Sequence, residues 1–401
     1  MRANSRICII GAGIVGLSTG LQLLRRHPNL KITILEKEDR VSAHQSGHNS
    51  GVIHSGIYYK PGSLRAVNCQ TGYRYLLEFA RRYELPHDLC GKVIVATRPE
   101  ELPRLETIYQ RGIANGMTGL KMIGAEEVLE HEPHVRAVRG IWVPQAGIID
   151  YAQVARKYAE LIEQQNGAIF LGERVENISV RSDEVAIETD KATHCADLLI
   201  NCAGLYSDRV ATMTGQRPGV QILPFRGEYY ELKPEREHLV NNLIYPVPDP
   251  NFPFLGVHFT RMIGGGIEAG PNAVLAFRRE GYSRYDFDRQ EFWETIRYSG
   301  FRKLAAKYWR TGLGEQYRSF SSGAFARALQ HLIPEIQSSD LVRGGAGVRA
   351  MACGPNGELL DDYLICESER VVNVCNAPSP AATSSLAIGE TIAMRAEKQF
   401  D

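Results

Sequence analysis

The chain has 401 residues, and its 46 Lys+Arg against 46 Asp+Glu leave a formal net charge of zero. With 44% hydrophobic and 23% charged residues, it has the composition of a folded soluble protein with material for two or three domains. This excludes a disordered chain and a disulfide-stapled miniprotein, and the balanced charge argues against a nucleic-acid partner.

In chain order, Arg6–Ile10 (RICII) reads as a strand, Ile14 to about Arg26 as a helix, and Lys31–Leu35 as a second strand ending at Glu36. This is a βαβ unit. The uncharged run Ile7–Leu24 is broken by Gly11, Gly13, Gly16 and Gly20, so it reads as part of this unit and not as a signal or membrane segment. His44–Gly56 is a Ser/Gly/His/Asn-rich loop entering a helix. Helices are expected over 64–83, 99–115 and 151–165. Strands are expected over 92–97, 168–171, 175–180, 185–189 and 197–203, with a helix from Ser207. Residues 220–270 are strand-like and turn-rich, with Pro224, Pro246, Pro248, Pro250 and Pro253. Residues 277–332 are expected to be mostly helical. Strands return near 345–352, 362–367 and 371–375, before a final helix over about 382–398.

The expected fold is α/β (α+β overall), with two interleaved domains. A Rossmann-like dinucleotide domain takes 1–85, 145–222 and 340–401. An antiparallel-sheet substrate domain takes 86–144 and 223–339. The eight cysteines (Cys8, Cys69, Cys90, Cys195, Cys202, Cys353, Cys366 and Cys375) contain no C-x-x-C pair and no zinc-like spacing to histidine. They are expected as reduced, mostly buried thiols, with no structural metal.

GAGIVG (11–16) fits G-x-G-x-x-G after a strand and before a helix. Gly11 suits the tight turn, Gly13 lets backbone approach a pyrophosphate, and Gly16 lets helix pack close to strand. The helix N-terminus then offers N–H groups to phosphate. Glu36, 20 residues past Gly16 at a strand end, suits ribose hydroxyls and disfavours a 2′-phosphate. FAD is preferred to NAD because small-residue segments suited to a flat ring recur: HQSGHNSGVIHSG (44–56), the Gly-ended strand DLLINCAGLYSD (197–208), and NAPSPAATSS (376–385) opening the last helix. Candidate cofactor contacts are Gly11, Gly13, Gly16, Glu36 and Lys37, then Asn49, Ser50 and Gly51. Val175, Ala203, Gly204, Ala382, Thr383 and Ser384 complete them.

The stretches HQSGHNSGVIHSGIYYKPGSL (44–64), PFRGEYYEL (224–232), NNLIYPVPDPNFPFLGVHFTRM (241–262), GPNAVLAFRREGY (270–282), AGVRAM (346–351) and CNAPSPAATSS (375–385) resemble the D-amino-acid-oxidase-like superfamily of FAD enzymes. Within it they are most similar to the L-2-hydroxyglutarate dehydrogenase/oxidase family. The resemblance implies FAD-dependent oxidation of L-2-hydroxyglutarate to 2-oxoglutarate: hydride transfer to flavin N5, a His base, and electrons passed to quinone or oxygen. An amine or amino-acid oxidase of the glycine or sarcosine type is the alternative. The sequence carries no long tail past the final helix, so tail-mediated membrane contact is not expected.

Such chemistry needs a base of suitable pKa and cations for two carboxylates. His54 and His258 are the candidates for base and orienting donor, with the assignment open. Covalent attachment of flavin to His54 is a third option. Arg349 is the first choice for a carboxylate, with Arg226 and Arg261 behind it. Tyr59 is a further donor, followed by Tyr229 and Tyr245. Cys202 and Cys353 read as small buried groups near the flavin, not as redox partners. Arg278–Arg310 holds nine Lys+Arg, five Asp+Glu and nine aromatics. It reads as a helical cover, with peripheral contact at the inner membrane of an otherwise cytoplasmic protein as the sharper alternative.

Overall fold

A computed structural model describes residues 4–249 and 256–400. Pro250 and Pro253 lie outside the described residues. Two large sheets organise the chain. The first has six strands in the order Leu364–Ser368, Val371–Asn376, Leu198–Asn201, Arg6–Ile10, Lys31–Glu36 and Ala168–Leu171. All its pairings are parallel except that of Leu364–Ser368 at one edge. Alternation along Arg6–Ile10 sends Ile7 and Ile9 to one face and Cys8 and Ile10 to the other. Ile7 and Ile9 pack with Leu17, Leu21 and Leu24 of the helix Ile14–Arg26, Tyr158 of the helix Tyr151–Glu163, and Ile392 of the helix Ser385–Glu397. Cys8 and Ile10 pack with Ile187, Leu199 and Val210. Both faces are therefore covered, as a parallel sheet requires.

The second sheet is a nine-stranded, mainly antiparallel one. Its parallel pair joins Lys92–Ala96 to Leu243–Pro246. One face carries Tyr230, Phe259, Ile267 and Ala269 against Phe325 and Leu329 of the helix Ser322–Leu329. Alternation turns Lys92, Tyr229, Tyr245 and His258 to the opposite face.

Three local expectations are corrected. Residues 277–288 are not helical: Asp286 Oδ2 accepts from Ser283 N at 2.8 Å, and helix begins only at Arg289, where Asp288 Oδ1 accepts from Glu291 N at 2.9 Å. These local side-chain bonds compete with helix. The loop 44–56 leads not into a helix but into a two-residue strand, Val52–Ile53, that pairs with Gly147–Ile149. The helix Leu64–Arg82 starts later, with Ser63 accepting from Ala66 N. Finally, the strand Leu341–Cys353 pairs along its length with Gln221–Leu232, and so lies in the nine-stranded sheet with residues 223–339.

A buried ion pair fixes residues 277–288 onto the six-stranded side. Arg279 and Asp208 are both almost fully buried, and Arg279 Nη2 donates to Asp208 Oδ2 at 2.8 Å. Asp208 Oδ2 also accepts from Ile222 N, and Arg279 Nη1 donates to Leu205 O. Removing one partner strands a buried charge. Asp208→Ala is expected to lower stability by about 3–5 kcal/mol in chemical unfolding, and a change within about 0.5 kcal/mol, as at ordinary surface positions, would contradict this role.

Candidate active site

Between the two sheets lies a cavity of about 1050 Å³. That is just above the roughly 300–1,000 Å³ usual for ligand pockets. One end lies at the carboxyl ends of the parallel strands. There Gly11 and Gly13 face it, and Ala12 N donates to Glu36 Oε2 at 2.9 Å. Glu36 Oε1 accepts from Glu38 N at 3.0 Å, so a buried carboxylate is held rigidly with lone pairs to spare on both oxygens. The turn is very close. A Cβ on Gly11 would stand 2.6 Å from Cys202 O, and one on Gly16 would stand 2.0 Å from Gly11 O. Gly16 does not line the cavity; it lets the helix start where it does.

The remaining cofactor candidates distribute as follows. Lys37 lines the cavity, its ammonium paired with Glu38 and Glu280. Asn49 and Ser50 line it too, while Gly51 is one step behind: its N–H donates to Asn49 Oδ1 and its carbonyl accepts from Ile149 N. Val175, Ala203, Gly204, Ala382 and Thr383 line the cavity; Ser384, fully buried, does not. Thr383 ties distant segments together. Its Oγ1 accepts from His54 N at 3.1 Å and shares a 2.6 Å hydrogen bond with Tyr151 Oη, which donates to Val52 O.

A tight glycine turn, a helix N-terminus facing the cavity, a rigid carboxylate at the strand end and a long cavity beyond suit a dinucleotide with a bulky far end. FAD fits these residues.

At the far end stand His54, Tyr59, Tyr229, Tyr245, His258 and Arg349. His258 Nδ1 lies 2.9 Å from Gly256 O. A carbonyl can only accept, so Nδ1 carries the hydrogen and Nε2 is left with its lone pair. The His258 ring stacks on Tyr245 with centroids 4.1 Å apart. Burial, together with Arg349 and Lys92, pulls the His258 imidazole down to about 4, against the opposing bond to Gly256. Burial, Lys92, His258 and Arg65 pull His54 down to about 3. Both rings are therefore neutral at neutral pH. Arg349 Nη1 donates to Asn272 O at 3.4 Å. Tyr59 holds the Arg65 guanidinium over its ring at 4.3 Å.

Two arginine expectations fail on position. Arg226 is buried behind the sheet, paired with Glu228 at 3.0 Å and donating to Ser283 O; it does not line the cavity. Alternation along the strand sends it to the face opposite Gly227 and Tyr229. Arg261 pairs with Asp88, also away from the cavity. The lining arginines at this end are Arg349, Arg65, Arg104 and Arg111. The last three, with Tyr58 and Lys92, were not singled out from the sequence. Tyr58 sits beside Tyr59 in a stretch already marked, and its buried hydroxyl has no hydrogen-bond partner among the described residues. Lys92 heads an apolar strand, a position that reads as a solvent-facing end. Cys202 lines the cavity with its thiol pushed up to about 12 by burial, whereas Cys353 does not line it.

Residues 6–395 match the family of FAD dependent oxidoreductases called DAO. The chain belongs to this family and is an FAD-dependent 2-hydroxy-acid dehydrogenase or oxidase. It is 55% identical over 396 residues to L-2-hydroxyglutarate dehydrogenase of Indibacter alkaliphilus, covering 98% of this chain and 99% of that one. It is 43% identical over 412 residues to the mitochondrial L-2-hydroxyglutarate dehydrogenase of Homo sapiens, covering 98% and 89%. It is 43% identical over 390 residues to that of Escherichia coli K12, covering 97% and 92%. Within the DAO family, the chain belongs to the L-2-hydroxyglutarate dehydrogenases. Its fold is similar to FAD-bound, dithionite-reduced L-alpha-glycerophosphate oxidase from Mycoplasma pneumoniae, with TM-score 0.79 at 23% identity over 98% of this chain and 95% of that one. Glycine oxidase from Geobacillus kaustophilus shares the fold with TM-score 0.72 at 17% identity, over 99% and 96%.

Gly16→Ala is expected to weaken flavin binding by tenfold or more, about 1.4 kcal/mol, because the new methyl meets backbone that cannot move alone. The measurement is bound-flavin absorbance per protein after dialysis. Full flavin retention would show that the turn tolerates the shift.

Proposed function

We propose that this enzyme oxidises L-2-hydroxyglutarate to 2-oxoglutarate, with His258 as the base. The observation that carries the choice of base is the His258 Nδ1–H bond to Gly256 O, which leaves a lone pair on Nε2 of a neutral ring facing the cavity. When bound, FAD supplies the acceptor for the hydride from the substrate's Cα. His258 Nε2 takes the hydroxyl proton, and His54 orients the hydroxyl. Arg349 binds one carboxylate, and Arg104 or Arg111 at the cavity wall binds the other, consistent with charge-assisted recognition of anions. Tyr58 and Tyr59 add hydroxyl donors. The amine-oxidase alternative gains only a fold likeness from glycine oxidase, and a site for a neutral amine has no use for several arginines.

In the anaerobic protein, L-2-hydroxyglutarate is expected to bleach the flavin, while the D form and sarcosine leave it oxidised. Bleaching by sarcosine alone would move the chain to the amine oxidases. His258→Gln is expected to slow bleaching by about 10²–10⁴-fold, the usual scale of base catalysis, with flavin still bound. A rate within about threefold of the parent would remove His258 as base. The sign of the pH dependence follows from the lowered imidazole: in the free enzyme the reactive neutral form persists as pH falls and is lost only through about 4.

We further propose that electrons leave to a membrane quinone, at a bilayer contact made by the helix Ser299–Phe320. Trp309, Leu313, Tyr317 and Phe320 are each more than half exposed along one helix face. Arg302, Lys303, Lys307, Arg310 and Arg318 share the helix with a single carboxylate, the buried Glu315. Aromatic groups among basic ones suit an anionic bilayer surface. No helix of the described residues is long and apolar enough to cross a membrane. Co-sedimentation with anionic vesicles is expected, with loss in Trp309→Glu/Leu313→Glu. Equal pelleting with and without vesicles would contradict the contact.

A further inference from the structure

Lys92 opens the strand Lys92–Ala96 and is only 1% exposed. Its ammonium forms no hydrogen bond or ion pair with another described residue. It sits instead 4.6 Å from the ring centroid of Tyr245 and 4.9 Å from that of Tyr58. Two aromatic faces offset only part of the cost of burying such a charge. The Tyr245 ring is the one on which His258 stacks. The groups that act on this charge and on the two imidazoles come from every packed element. They are His54 and Tyr58 from the loop before the helix Leu64–Arg82, Arg65 and Cys69 from that helix, Tyr245 and His258 from the neighbouring strands, and Arg349 from Leu341–Cys353. The carboxyl of Glu268, on the neighbouring strand Ile267–Gly270, acts on Tyr229 and Tyr245 and is pushed up to about 7 by burial, and no carboxylate is among the groups acting on Lys92, His54 or His258 themselves.

We propose that Lys92 is a positioning residue for the proton transfer: its charge adds to burial and to Arg349 in holding His54 and His258 neutral until an anionic substrate enters and offsets it. This rests on the reading of His258 as the base. A neutral imidazole held near 4 is a ready acceptor but a weak one, and base catalysis is best when the base titrates near the working pH. A dianion between Arg349 and the arginines of the cavity wall supplies the missing negative charge and raises the proton affinity of His258 only when there is a proton to take. Product release then restores the field of Lys92, which expels the proton from the imidazole. Lys92 itself is pulled by burial to about 7, so its charge is half lost near neutrality, and the effect fades as pH rises.

The test is the imidazole titration of the FAD-loaded protein, followed by NMR with labelled histidine, with His258→Gln used for assignment. In the parent, His258 is expected to stay neutral to about pH 5 and to titrate about one to two units higher with 2-oxoglutarate bound, the scale of a nearby charge. In Lys92→Met the free-enzyme value is expected to rise by about one unit and the response to 2-oxoglutarate to shrink, while Lys92→Arg keeps the parent behaviour. Identical titrations in the parent and Lys92→Met would overturn the proposal, as would Lys92→Arg behaving like Lys92→Met, which is the mark of a packing role. Should neither variant hold flavin, the parent still decides: an imidazole already protonated at neutral pH, or one indifferent to 2-oxoglutarate, overturns it. The titration needs no turnover, so its failure is separable from failure of L-2-hydroxyglutarate to bleach the flavin.

Discussion

Half-buried Arg349 at the cavity wall and buried Lys92 behind it bring positive charge to His54 and His258, and the groups that act on the two imidazoles include no carboxylate. Burying charge without a counter-ion is costly. Much else in the site follows from that arrangement. Together with burial it holds two imidazoles neutral, and on the proposed reading it selects an anionic ligand over a neutral one. Aromatic rings take the place of counter-ions around Lys92, so its charge is tolerated without being neutralised.

The scaffold makes this possible by bringing together residues far apart in sequence. The parallel sheet presents its glycine turn and Glu36 at strand ends, where open α/β sheets bind ligands. The mixed sheet presents one face to a helical layer and the other to the cavity. Thr383, whose hydroxyl holds the backbone of His54 and the phenol of Tyr151, ties the strand Val52–Ile53 and its loop to the parallel-sheet side, and the Arg279–Asp208 pair ties residues 277–288 to that same side. A loop fixed by hydrogen bonds from two other segments is pre-organised, which would serve the proposed proton transfer, where small displacements are expensive.

The N-terminal βαβ unit was legible because three signals coincide: an apolar strand, a glycine turn and a helical period ending at Glu36. The same holds for the strand at 198–201 and the final helix. Residues 277–288 misled because their composition is helix-compatible, while the turn depends on Asp286 and Asp288 bonding nearby backbone. The strands and helix between 121 and 149 give little signal because each is only three to seven residues long. His54, His258 and Arg349, which line the cavity, are singled out in the sequence only by stretches of family likeness, since a lone His or Arg gives no period to read. Arg226 went wrong by one residue of alternation: Gly227 and Tyr229 face the cavity, and Arg226 cannot. Lys92 was invisible because its burial comes from Tyr58 and Tyr245, which the fold brings from either side.

The central claim is that this end of the cavity recognises two negative charges. It is tested most directly by comparing how 2-oxoglutarate and its 5-amide, 2-oxoglutaramate, bind the oxidised FAD-loaded enzyme, read from the perturbation of the flavin spectrum. The open-chain amide has nearly the same shape and differs by one charge, and its affinity is expressed per open-chain ligand because the amide also closes to a lactam. A two-carboxylate site predicts that the amide binds at least tenfold more weakly, about 1.4 kcal/mol, and that the gap closes as salt rises. Equal affinities at low salt would contradict it, and would leave the arginines of the wall without a role in choosing the substrate.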